Sequence, residues 1–227
     1  MGYVTASVKT NSVLDVLKTI KGMLKTGWTL DEENQILWKD SPAAFPVGLG
    51  IGTSGSSSNK YIMTVVKNGA GEAEYGTAYP YALINSSVSE YYLYLFTSPN
   101  GSIAISVSGN VSELGPCFAF IKNGNTNPTL PTYMPTEYGN STTDSLRCFI
   151  PGTSKSVQVA GPYSTPRGLN MALCNAVDPY TGTAFSDLYV LAATAGAPPQ
   201  VLAYGSQRFV LFRIMGSAAP AFYLRYV

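Results

Sequence analysis

Tyr91-Tyr92-Leu93-Tyr94-Leu95-Phe96, Ser98-Pro99-Asn100-Gly101 and Ile103-Ala104-Ile105-Ser106-Val107 follow one another almost without a break, and their reading decides the fold. The first run is aromatic and aliphatic, a composition that suits a pleated, half-buried surface. The middle is turn chemistry, because proline presets φ and glycine accepts φ > 0. In the last run Ile103, Ile105 and Val107 alternate with Ala and Ser, so the spacing predicts a strand with one buried face and one small polar face. The stretch is a β-hairpin.

Outward from it, most of the chain repeats this grammar. Residues 61–67, 90–97, 102–108, 116–122, 187–194, 207–215 and 221–226 read as strands punctuated by Gly, Pro, Asn and Ser. Residues 28–30 and 36–39 form a second hairpin around an acidic turn at 31–34, and it carries both tryptophans of the chain. One segment has the other period. Val13, Leu17, Ile20 and Leu24 recur at helical spacing, with Val16 and Met23 widening the stripe. Ser12 is the expected N-cap with Asp15 three residues on, and Gly27 is the expected C-terminal glycine. The predicted architecture is mainly β, with β-sandwich-like antiparallel sheets and one N-terminal amphipathic helix packed on a sheet.

Two stretches interrupt the strands. Residues 48–59 are rich in Gly and Ser and are expected to form a mobile loop; residues 123–144 are rich in Asn, Pro, Thr and Tyr and are expected to form a long ordered excursion. Excursions of this kind on a β scaffold are natural contact segments. No internal repeat appears. No linker divides the chain either, so residues 1–227 read as a single β-rich domain, with 123–145 the one candidate subdivision.

Composition narrows the function. Charged residues are 12% of the chain, about half of what is usual, and 14 basic residues face 13 acidic ones. So little like-charge repulsion favours association with other chains. There is no basic run to neutralise phosphates, which argues against a nucleic-acid partner. The apolar runs fall well below the roughly 20 residues of a spanning helix, and the N-terminus lacks a signal-peptide pattern, so neither a membrane span nor export is expected. Histidine is absent, which removes the commonest general base and metal ligand. Cys117, Cys148 and Cys174 are odd in number and lack Cys-x-x-Cys spacing, so they read as small buried hydrophobes. Catalytic, cofactor and metal sites are all expected to be absent.

Three motif matches invite chemistry. Gly50-Ile51-Gly52-Thr53-Ser54-Gly55 fits the dinucleotide pattern, but Ser56-Ser57-Ser58-Asn59 and a strand follow where a phosphate-binding helix is needed. Ser57-Ser58-Asn59-Lys60 fits S-x-x-K, which works only across one helical turn. The carboxylate pairs Glu32 with Glu33 and Glu72 with Glu74 could serve glycoside hydrolysis, and both read as solvated turn residues. Sequons at Asn85, Asn100, Asn110 and Asn140 read as turn chemistry. Sixteen tyrosines suit protein interfaces or sugar-binding surfaces, while those at 91, 92 and 94 read as packing within a sheet.

The order of elements carries a resemblance. A helix running into Gly27-Trp28-Thr29-Leu30, the strand Ile36-Leu37-Trp38-Lys39, the hairpin with Phe96 and Ile103-Ala104-Ile105-Ser106-Val107, and a late Gln207-Arg208-Phe209-Val210-Leu211-Phe212-Arg213-Ile214 strand resemble virion structural proteins of tailed bacteriophages. The resemblance implies a homo-oligomeric component of the tail tip, baseplate or neck, made in the host cytoplasm and located in the virion. Its partners would be copies of itself and other virion proteins. The alternatives are a receptor- or glycan-binding tail protein contacting a host-surface glycan, and a carboxylate-type glycoside hydrolase. Residues 123–144 and Ser164-Thr165-Pro166-Arg167 have no counterpart in the resemblance.

Overall fold

The computed structural model describes residues 3–39, 46–53, 60–67, 71–75, 81–122, 133–138, 146–149, 156–158, 174–177, 184–192, 201–213 and 220–227. Strand β1 (Tyr3–Val8) leads into helix α1 (Val13–Leu24). Then come β2 (Trp28–Asp31), β3 (Ile36–Lys39), β4 (Val47–Thr53), β5 (Lys60–Lys67), β6 (Ala73–Tyr75) and β7 (Tyr81–Ile84). The middle of the chain forms β8 (Tyr91–Thr97), β9 (Ile103–Ser108), β10 (Cys117–Lys122), β11 (Tyr133–Tyr138), β12 (Leu146–Phe149) and β13 (Ser156–Gln158). The last part forms β14 (Cys174–Val177), β15 (Ala184–Ala192), β16 (Val201–Tyr204), β17 (Gln207–Arg213) and β18 (Pro220–Arg225).

These strands build three antiparallel sheets. The central sheet runs β1-β8-β9-β10-β11-β12-β13, the second β2-β3-β4-β5-β6 and the third β14-β15-β18-β17-β16. In the second sheet β7 shares an edge of β5 with β6: β7 pairs with Lys60 to Met63 and β6 with Val65 to Lys67. Leu93, Leu95, Ile103, Ile105, Phe118 and Phe120 turn one face of the central sheet into a core shared with α1 and the second sheet. Phe96, Ala104, Cys117, Ala119 and Ile121 turn its other face onto Leu188, Val210, Leu224 and Tyr226 of the third sheet and the C-terminus. The β-rich, sandwich-like fold with a packed helix is as predicted.

The hairpin at 98–101 follows its turn chemistry. Gly101 donates its N–H to the Ser98 carbonyl at 3.0 Å and sits at φ 88°, and the Ser98 N–H donates to the Ser102 carbonyl at 2.8 Å. Proline thus occupies the second position of the turn and glycine the left-handed one. The polar face of β9 departs from expectation, since all six of its residues are buried. Ala104 is small where it packs in the core shared with the third sheet, and the Ser106 hydroxyl donates to the Gly115 carbonyl at 3.1 Å.

Helix α1 packs Val13, Val16, Leu17, Ile20 and Met23 into the first core. Ser12 caps it, its Oγ accepting from the Asp15 N–H at 3.5 Å. The C-terminus corrects the glycine assignment: Lys25, at φ 61° and ψ −69°, makes the reversal, and the Thr26 N–H reaches the Leu24 carbonyl at 2.7 Å. This is a γ-turn with positive central φ, a strained conformation for a side-chain-bearing residue. Gly27 takes φ 75° two residues later, where the chain enters β2.

The loop expected at 48–59 is corrected over its first half. Residues 48–53 are not a loop but most of β4, paired with β3 and β5; residues 54–59 lie outside the described residues. Val47, Leu49 and Ile51 face the core, and the intervening glycines let β4 lie close on its neighbours, since a Cβ on Gly48 would strike the Leu37 carbonyl and one on Gly52 the Met63 thioether. Within the excursion at 123–144, Tyr133–Tyr138 is strand β11, and the remainder lies outside the described residues. Pro135 sits where pairing passes from β10, at Tyr133 to Pro135, to β12, at Thr136 to Tyr138.

Candidate functional site

Gly50 and Gly52 lie in β4 and Lys60 opens β5, so the described ends of both motifs are strand; Ser54 to Asn59, which complete them, lie outside the described residues. Glu32 and Glu33 are exposed turn residues as expected, with Glu32 bridged to Lys18 at 2.7 Å. Glu72 is exposed, but Glu74 belongs to β6, opposite Val66, rather than to a turn. Among the described residues no three His, Cys, Asp or Glu side chains group as a metal site, and no helix is long and apolar enough to cross a membrane. Asn85 and Asn110 do form turns, their Oδ1 atoms accepting from the Ser87 and Ser112 N–H groups at 3.0 Å each. Buried Cys117 is a small hydrophobe as expected, its thiol pushed up to about 12 by burial, with a Ser106 hydrogen bond opposing. The side chains of Cys148 and Cys174 lie outside the described residues.

The tyrosines of β8 satisfy themselves locally. The Tyr91 hydroxyl accepts from the Asn85 N–H at 2.9 Å, and the Tyr94 hydroxyl donates to the Val111 carbonyl at 2.8 Å. Burial pushes the Tyr94 hydroxyl above its ordinary range, with a smaller contribution from Tyr3.

The feature most able to receive a partner lies where the central sheet ends. Strand β1 pairs only with β8 among the described residues, from Tyr3 opposite Phe96 to Val8 opposite Tyr91. Among the described residues no strand pairs with its other edge, which leaves that row of backbone donors and acceptors without a ladder partner there. Val4 and Ala6 lie on the helix-bearing face with Leu95 and Leu93 opposite, yet Val4 remains 47% exposed.

Beside Val4 a notch of about 360 Å³ opens between the end of α1 and the β8–β9 hairpin. Its floor is apolar, made by Met23, Trp28, Leu95 and Ile103. Lys25 and Lys39 stand on its rim. The Lys39 ammonium donates to the Gly27 carbonyl at 2.8 Å and lies 5.9 Å from the Trp28 ring and 5.2 Å from the Tyr133 ring. Trp28 in turn meets Phe120 edge to face at 5.2 Å. Burial raises the Tyr133 hydroxyl above its ordinary range, and the negative charge of Asp187 adds to this. One cation thus lies over both rings.

Near the notch, the central sheet is pinned to the third by polar contacts. The Ser98 hydroxyl donates to Asp187 Oδ2 at 2.5 Å, and Asn100 Nδ2 donates to Ser186 Oγ at 2.6 Å. Asp187 is fully buried, and its Oδ1 has no hydrogen-bond partner among the described residues. The Ser98 Oγ also accepts from the Ser102 N–H at 2.9 Å, so this serine is buried in structure rather than presented to a substrate.

No protein-family model matches the chain, and neither the curated proteins nor the solved structures contain a match.

Proposed function

We propose that this chain is a structural component of a tailed-bacteriophage particle, in the tail, baseplate or neck, acting through contacts with its own copies and with other virion proteins. The observation that carries the reading is the open edge of β1, with half-exposed Val4 beside an apolar notch. Sparse charge and the resemblance in element order support it. The receptor- or glycan-binding reading rests on the tyrosines, but Tyr91 and Tyr94 bind their own chain and the Trp28 and Tyr133 rings are held under Lys39. The carboxylate-hydrolase reading rests on the pairs Glu32 with Glu33, exposed in a turn with Glu32 bridged to Lys18, and Glu72 with Glu74, one exposed and the other in strand β6.

The test is the location and state of the protein. Antibody labelling of purified phage particles is expected to mark one structural position, and light scattering of the purified chain to show self-association as concentration rises. A chain that stays a compact monomer at high concentration and labels no particle overturns the reading. A glycan array separates the receptor alternative, and activity after Glu72→Gln with Glu74→Gln separates the hydrolase.

A further inference from the structure

We propose that a second copy of this chain pairs with β1 edge to edge, antiparallel about a two-fold axis at Ala6; this rests on the self-assembling reading above. Opposed residues of an antiparallel pair share a sheet face, so under a two-fold normal to the sheet the paired numbers must sum to an even value. A sum of twelve places Val4 opposite Val8 of the partner subunit, Ala6 opposite its own copy, and Thr5 opposite Ser7 of the partner subunit.

The sequence fits this register on both faces. On the helix side half-exposed Val4 gains an aliphatic neighbour, and Ala6, the smallest side chain of the strand, stands at the axis opposite its own copy. On the other side the exposed Thr5 and Ser7 oppose each other, a hydroxyl pair of the kind cross-strand positions favour. No charge lies within Tyr3–Val8, and exposed Lys9 stands just beyond the strand, at the end of the register. Edge strands that stay single are commonly guarded by a charge, a proline or a bulge.

The helix adds complementarity in charge. Its acidic first turn, with Asp15, follows Val8 in the chain, while Leu24 and Lys25 lie beside Val4 at the notch. The two-fold brings the Val8 end of one copy to the Val4 end of the other. Each helix start, with Asp15, thereby approaches the helix end of its neighbour, with Lys21, which suits the two helix dipoles; exposed Lys9 sets one basic group at the same end as Asp15.

Register-specific crosslinking tests the proposal. A Thr5→Cys chain mixed with a Ser7→Cys chain, under mild oxidation, is expected to form an intermolecular disulfide between the two introduced thiols, identified by peptide mass spectrometry, because facing strand positions lie within disulfide reach. Neither chain alone is expected to crosslink at these positions. Val4→Lys is expected to weaken self-association by about tenfold or more while leaving unchanged the circular dichroism spectrum and the melting temperature measured at dilutions where both chains are monomeric. Crosslinks within Thr5→Cys alone, or self-association unaffected by Val4→Lys, overturn the edge pairing and leave the assembly reading standing. Loss of all self-association in the unmodified chain, together with no particle label, overturns both.

Discussion

Lys25 holds a backbone conformation that glycine adopts at no steric cost, and nothing in its side chain's position requires the strain. Lys25→Gly is expected to be stabilising by about 1 kcal/mol or to be neutral, where a glycine inside a helix would be destabilising. Urea unfolding checks it, and a loss of more than about 1 kcal/mol contradicts the γ-turn. Ser98 is the opposite case. Ser98→Ala removes the hydroxyl from Asp187 Oδ2 and the acceptor from the Ser102 N–H, leaving a carboxylate with neither oxygen partnered among the described residues. The expected cost is about 2–3 kcal/mol. A fall in the urea midpoint worth less than about 0.5 kcal/mol would show that water or another group satisfies Asp187 instead.

Among the elements, β4 shows what a sequence says and withholds. Its alternation of Val47, Leu49 and Ile51 with glycine is a strand period, but three glycines beside a serine run read as flexible. The reason for those glycines is tertiary. Gly48→Ala would drive a Cβ into the Leu37 backbone, and since backbone cannot rotate away the expected destabilisation is about 2 kcal/mol or more by thermal unfolding. Strands carrying large alternating side chains, such as β8, β9 and β10, are legible because burial on their faces writes the period directly. The β11 segment is not, since Pro135 argues against a strand and is tolerated only at the change of pairing partner. Of the candidate site, the period-two pattern of Val4, Ala6 and Val8 is present in the residues, whereas the seating of Lys39 over Trp28 and Tyr133 depends on a hairpin and a third strand meeting. Likewise the small face of β9 reveals its size but not the sheet that covers it.

At the scale of the whole molecule, alkali is the natural stress. The Cys117 thiol is raised from an ordinary 9.0 to about 12 in the folded protein, so between those values the folded state holds a proton that the unfolded state has lost. Stability is therefore complete below pH 9 and falls as pH climbs toward 12. The hydroxyls of Tyr94, Tyr133 and Tyr226, all raised by burial, add in the same direction above their ordinary range. Urea midpoints measured from pH 8 upward should decline, and Cys117→Ala should make the decline shallower. A midpoint rising with pH would falsify this linkage.

The central sheet is a wall common to two rooms. Phe118 and Phe120 furnish one of them, Cys117 and Ala119 the other, along the same short strand. Neither room can be vacated without stripping a side from its neighbour, so damage on the far side should be felt across the partition. Leu224→Ala in the third-sheet core, at a cost of about 2–5 kcal/mol, should bring forward the melting reported by Trp28 fluorescence in the opposite core, in one shared transition.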